Sequence, residues 1–260
     1  MPRAKPKTQE LINYLGSCVK HNVKLSPFEI RRFHKEALQL PTQHDRDIAL
    51  GFLSVNERDQ EKAIAYFKNA LSSSLSNAND VVYLGVTYNV FSQISKFKET
   101  LLEGLKKYPN SVQINEYLQL VSIQFLDMEN FRKATETLDK LKKCNNYNEE
   151  HSIFYQWLSS IQEQREEQRI TAVGSEIVKL IEDYSLTMMK QRILKLPEME
   201  HYSFIYQVTG DNDSCTSFDL NWEFSGRIVD ADLLDVPATI QFQKMNADDF
   251  VESQLEANAL

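Results

Sequence analysis

Four small groups of residues have types and spacings that could do chemistry. Cys18 and His21 stand one helical turn apart and could supply half of a zinc site, but no second pair follows at the spacing such a site needs. His201 with Glu198 and Glu200 sets an imidazole among carboxylates, an arrangement that can hold a metal or move a proton. Asp211-Asn212-Asp213-Ser214 starts like a calcium loop, yet the glycine at its sixth place and the later glutamate are missing, so a turn is the plainer reading. Phe154, Tyr155 and Trp157 lie at helical spacing, which suits packing between helices better than a ligand patch. His34 has no partner in register. Of the seven glycines, the nearest two, Gly210 and Gly226, are 16 residues apart, which rules out GxGxxG, a phosphate loop and a GxSxG elbow. We therefore expect no catalytic residue, no metal and no cofactor.

Composition bounds the remaining classes. With 42% hydrophobic and 25% charged residues the 260-residue chain reads as globular, and only seven Gly and seven Pro favour long regular elements. Three distant cysteines (Cys18, Cys144, Cys215) without a CxxC do not make a disulfide framework. A reducing compartment fits them, and with no apolar leader and no long apolar run the expectation is a cytoplasmic protein without a membrane partner. The net charge of −8 conceals an asymmetry. Residues 198–260 carry 13 acidic against two basic side chains, whereas residues 1–48 carry nine basic against five acidic. Parts so differently charged have different work to do.

The elements that would position these residues come from periodicity. Residues 8–22 place Leu11, Ile12, Leu15, Cys18 and Val19 on one helical face. Ser26-Pro27-Phe28-Glu29 has the form of a capping box and opens a helix presenting Phe28, Ile30, Phe33, Ala37 and Leu38. From residue 44 a repeat sets in. Leu50-Gly51 recurs as Leu84-Gly85, and Ala63, Phe67 and Ala70 recur as Phe97, Leu101 and Gly104, each 34 residues on. A third helix pair is read over 112–144 with its register displaced by about three residues, Val121-Ser122 standing for Leu-Gly. A degenerate fourth pair is read over 149–193.

This pattern resembles the tetratricopeptide repeat, a helix–turn–helix unit with small residues at its helix crossings, although unit one lacks the family's early Trp and its Pro. The resemblance implies a mainly α fold: an α-solenoid of antiparallel helix pairs over 44–196, preceded by a basic helix pair in 1–43. It further implies a protein partner in the groove formed by the first helix of each unit. Carried onto this chain, the groove positions are Asp45, Ile48, Phe52, Val55 and Asn56, then Asn79, Val82, Val86, Asn89 and Val90, with Asn56 and Asn89 read at the same place in the repeat. The family's clamp for C-terminal carboxylates needs Lys where Ile48 and Val82 stand, so an apolar peptide or helix is the expected ligand.

Beyond residue 196 the texture changes. Phe218–Ser225 alternates apolar and polar strictly, as a strand with one wet face would, and His201–Val208 and Ala238–Lys244 do so more weakly. A small acidic α+β domain over 197–260 is expected, with an antiparallel sheet, a hairpin turning at Gly210–Ser214 and a short helix at 247–257. Asp219, Glu223, Asp230, Asp232 and Asp235 would give it an acidic surface able to cover a basic partner, as in inhibitors, antitoxins and immunity-type proteins. The leading expectation is a non-catalytic adaptor. The rivals are a transcriptional regulator using Arg3, Lys5, Lys7, Arg31, Arg32 and Lys35 of its N-terminal part on DNA, a use that the small net charge of residues 1–48 disfavours, and an enzyme centred on His201.

Overall fold

The computed structural model describes residues 7–141, 149–161, 164–195, 202–210 and 215–245. Among them are eleven helices and three strands, so the chain is mainly helical with a small sheet near its C-terminus. The order is α1 (Lys7–Lys20), α2 (Pro27–Leu38), α3 (Gln43–Asn56), α4 (Gln60–Ser72), α5 (Ala78–Val90), α6 (Ile94–Lys107), α7 (Val112–Gln124), α8 (Met128–Lys140), α9 (Glu149–Ser160), α10 (Gln164–Asp183), β1 (Thr187–Lys195), β2 (Tyr202–Thr209), α11 (Ser217–Asp230) and β3 (Ala238–Lys244). Contacts divide the chain into two compact units, Met1–Phe91 with Lys96–Ile114 and Ser92–Ser95 with Asn115–Leu260. The short helix expected at 247–257 lies outside the described residues.

Local chemistry starts most helices where the sequence places a capping residue. The Ser26–Glu29 box is formed: the Glu29 N–H donates to Ser26 Oγ, and Glu29 Oε2 accepts from the Ser26 N–H at 2.9 Å. Thr42, Asp59, Asn77 and Asp127 cap α3, α4, α5 and α8, and Thr216 with Asp219 makes a second box at α11. Hydrogen bonds hold three of these carboxyls below their ordinary values: the Ser26 hydroxyl and N–H at Glu29, Lys62 at Asp59, and the Thr216 hydroxyl and N–H at Asp219. A carboxyl with a depressed folded value stabilises the fold above its unfolded value and ceases to do so as pH falls through the folded one. Helical content followed by circular dichroism is therefore expected to hold from neutral pH down to about 4 and to decline below it.

Within the first unit α1 and α2 both pack on α3, and α3 pairs with α4. Of the face expected to bury α2, only Phe33 and Ala37 are buried; Phe28 and Leu38 point to solvent. The packing repeats with the chemistry of the sequence. A Cβ at Gly51 would lie 2.8 Å from the Phe67 ring, and one at Gly85 would lie 2.9 Å from Phe97 and 3.6 Å from Leu101. Both glycines let the paired helix come close enough for a large side chain to fill the crossing.

The turn between paired helices recurs as well. Arg58, Ser92 and Leu126 each adopt a left-handed conformation, with φ of 59°, 57° and 54°. They stand 34 residues apart and are not glycines, so the closing of the turn outweighs the strain. The third helix pair therefore keeps the 34-residue register and is not displaced by three. Gln119, not Ser122, occupies the glycine place, and Thr135 occupies the place of Phe67 and Leu101. Gln119 Nε2 donates to Thr135 Oγ1 at 2.8 Å in a buried site. Bulk has moved from the second helix to the first, which hides the repeat from a search for Leu-Gly.

The second unit joins the helices α7 to α10 to a three-stranded sheet. β1 and β2 are antiparallel, pairing from Thr187↔Thr209 to Lys195↔Tyr202 with an irregularity between Met188 and Lys190. β3 lies parallel to β2, so the sheet is mixed and not antiparallel as expected. The physical reason is α11: a helical crossover between β2 and β3 returns the chain in the same direction. The boundary expected at 196/197 falls between β1 and β2, which pair along their length.

Residues 218–225, expected as a strand, belong to α11. Apolar residues at 218, 220, 222 and 224 satisfy a two-residue period, but they also make two i, i+4 pairs. Leu220 and Phe224 face inward and Phe218 and Trp222 outward. The inward pair packs on the sheet, with Phe224 and Phe242 rings 5.3 Å apart. Asn221 completes the join, donating to the Phe242 carbonyl at 2.8 Å and accepting the Phe242 N–H at 2.9 Å. It therefore occupies hydrogen-bonding groups along one edge of β3.

The sheet also finishes α7. Gln191 Nε2 reaches the carbonyls of Ile123 and Gln124, and the Tyr206 hydroxyl donates to Gln124 O at 2.8 Å. These groups satisfy carbonyls that a helix C-terminus leaves without partners. Burial pushes the Tyr206 hydroxyl far above its ordinary value, so it stays a donor.

Candidate protein-docking surfaces

The residues singled out for chemistry fall to structural roles or lie outside view. Cys18 is buried on α1, and burial raises its thiol. His21 is exposed and bonds its own helix through the Ser17 carbonyl at 3.0 Å. His34 lies 3.2 Å from Glu57 at the surface. Phe154 and Trp157 are buried in an aromatic cluster with Phe131 and Phe204, as helical spacing suggested. Glu198, Glu200, His201 and Asp211–Ser214 lie outside the described residues. A shallow depression between α8 and α9 is lined by Phe131, Arg132, Thr135 and Tyr155 among others. Two of its polar groups are already engaged, Arg132 with Glu167 and Thr135 with Gln119.

The expected groove is core along most of α3 and half-buried along most of α5. Ile48, Phe52, Val55 and Val82 are buried, while Asn56, Asn79, Val86, Asn89 and Val90 are half-buried. Phe52 is enclosed by Phe67 and Tyr83, with ring centroids 5.1 and 4.9 Å away, and by α1, where Gly16 lies against its ring. α1 thus covers the face of α3 that the groove would need. Nor do Asn56 and Asn89 share a repeat position: the 34-residue recurrence sets Val90 against Asn56 and Asn89 against Val55. Asn56 bonds its own helix at Phe52 O.

A buried polar pair was not foreseen. His44 Nε2 lies 2.9 Å from Asp80 Oδ2, both side chains being out of solvent, and joins the first turns of α3 and α5. No sequence spacing announces it, because 36 residues separate the partners.

The acidic residues sit on α11 and the segment after it, not on a strand. Asp219 completes the Thr216 capping box. Glu223 accepts from Arg227 at 3.0 Å, and Arg227 also reaches Asp183 at 2.9 Å. Asp230 and Asp232 are exposed; the Asp235 side chain is 89% exposed although 3.6 Å from Arg169. What accompanies these carboxylates is the larger finding. Phe218 and Trp222 are 71% and 74% exposed, stacked with centroids 6.2 Å apart, and Val229 continues the same outward stripe. Two large aromatics side by side in water are uncommon on a surface with nothing to bind.

Comparison with family models, curated proteins and solved structures finds no match for the chain. Among the described residues no helix is long and apolar enough to cross a membrane, and no group of three metal-ligating side chains is gathered.

Proposed function

We propose that this protein is a non-catalytic adaptor of the tetratricopeptide-repeat type, and that it binds a basic protein segment on the outer face of α11. The reading rests on one observation: Phe218 and Trp222 stand exposed and stacked, with Asp219, Glu223 and Asp230 on the same helix. The aromatic pair supplies apolar area at small entropic cost, and the carboxylates select and steer a cationic partner. The repeats then serve as the frame carrying this face, the inner wall of α3 being taken up by α1. A face of this kind would suit the role of an inhibitor, antitoxin or immunity-type protein that covers a basic surface.

The protein carries its own reporter. Of its two tryptophans, Trp157 is buried and Trp222 exposed. The proteins that co-purify from the native source with the wild type are expected to shift Trp222 emission to the blue, and to release with added salt. Trp222→Ala is expected to weaken the complex by about 2 kcal/mol, roughly thirtyfold. Capture unchanged by Phe218→Ala together with Trp222→Ala would remove the proposal.

A further inference from the structure

The other strongly featured surface lies on α2. Phe28 (74% exposed), Arg31, Lys35 and Leu38 (62% exposed) follow one another at three- and four-residue steps along one stripe, with exposed Arg32 beside it. From Lys20 to Leu38 there are five basic residues and two acidic ones; from Cys215 to Met245 there are five acidic and two basic. Glu29 is occupied in the Ser26 capping box and Glu36 lies 3.6 Å from Arg32, which leaves the stripe cationic. Arg32 is spread over the Phe33 ring at 4.3 Å, while Arg31 and Lys35 point outward.

The two outer faces complement one another. Each is a single exposed helix face, of 12 residues on α2 and 14 on α11, or about 18 and 21 Å of axis. Each sets large apolar side chains at both ends of a charged stripe, and the charges are opposite. Phe28 and Leu38 would meet the Phe218–Trp222–Val229 row. Arg31 or Lys35 would lie over the Trp222 ring, whose face attracts cations, and within reach of Glu223 or Asp230.

We propose that the partner of the α11 face is a second copy of this chain, seated through the outer face of its α2. The proposal rests on the reading that α11 binds protein. It differs from a contact between like faces, because α11 against α11 would oppose carboxylate to carboxylate. The contact is heterologous, one face meeting a different face of its neighbour. An interface of one helix on one helix is small, so the association is on the order of micromolar and depends on salt.

Sedimentation velocity of the purified full chain over a wide concentration range, at low and high salt (about 0.05 and 1 M), tests this. The wild type is expected to associate with rising concentration at low salt and to be at least tenfold weaker at high salt. One variant, Arg31→Glu with Lys35→Glu, loses the α2 face; another, Phe218→Ala with Trp222→Ala, loses the α11 face. All four positions are exposed, so both variants should keep the wild-type circular dichroism. Neither is expected to self-associate. Mixed, they are expected to form a one-to-one complex, because each supplies the face the other lacks. A wild type that stays monomeric throughout, an α2 variant that still self-associates, or a mixture that stays monomeric would each overturn the proposal. If the wild type is monomeric yet native proteins still depend on Trp222 for capture, self-association fails and the adaptor reading stands; if both fail, both are lost.

Discussion

Gly174→Ala is expected to unfold the helix–sheet unit or leave it barely stable. Gly174 faces the turn between α7 and α8, and a Cβ there would lie 1.9 Å from the Phe125 carbonyl oxygen and 3.2 Å from Leu126 Cβ. Overpacking costs typically 1–3 kcal/mol when side chains can rearrange. Here the obstacle is backbone, and it cannot step aside. Leu126, next in the chain, is fully buried and already held at a φ of 54°. The loss should exceed about 3 kcal/mol, read from urea unfolding followed by emission of buried Trp157. Gly226→Ala is the control. It makes the same chemical change within α11, where a Cβ would meet nothing within 4 Å. With only helix propensity at issue, it should stabilise by about 1 kcal/mol. Equal effects at the two sites would show that crowding at Gly174 does not limit stability.

The second large effect is expected at His44. Asp80 is fully buried; its Oδ2 accepts from the Asn77 N–H at 2.9 Å and lies 2.9 Å from His44 Nε2, while its Oδ1 has no partner among the described residues. His44→Ala strips this carboxyl of its side-chain partner without giving it water. Leaving a buried polar group without its partner costs about 1–3 kcal/mol, and more when the group is charged. Hydrogen exchange of the α3 and α5 amides reads the loss, since neither tryptophan lies on those helices. Adding Asp80→Asn should recover about 1–2 kcal/mol, because a neutral amide still caps α5 and is less costly to bury. Non-additivity of that size identifies coupling between the two side chains.

How far the fold was legible depended on whether a feature is local or shared between distant segments. Helix starts were legible at Ser26–Glu29, because a cap is made by residues three apart. The 34-residue repeat was legible where Gly51 and Gly85 hold the crossing, and it was misjudged where Gln119 and Thr135 exchange bulk while keeping the geometry. The strand expected at Phe218–Ser225 failed for a definite reason. Alternation cannot distinguish a strand with one buried face from a helix that buries one apolar pair and exposes another. The Thr216–Asp219 box was the local signal for helix, and it went unread.

The candidate site shows the same division. Sequence named Asp219, Glu223, Asp230, Asp232 and Asp235 but set the first two on a strand, where the structure has α11. It gave no sign that Phe218 and Trp222 stand outside, because exposure of an aromatic depends on which face of its helix the sheet covers.

From sequence alone came the helical class, the spacing of the repeat, the Ser26–Glu29 cap and the separation of charge between the two ends, all set by residue types within a few turns or by simple counting. Only the tertiary structure decided that α1 occupies the wall of α3 where a groove was expected, that β3 runs parallel to β2, and that His44 meets Asp80. Each of these is a contact between segments far apart in the chain, and such contacts are chosen by the packing of whole faces, which no local pattern encodes.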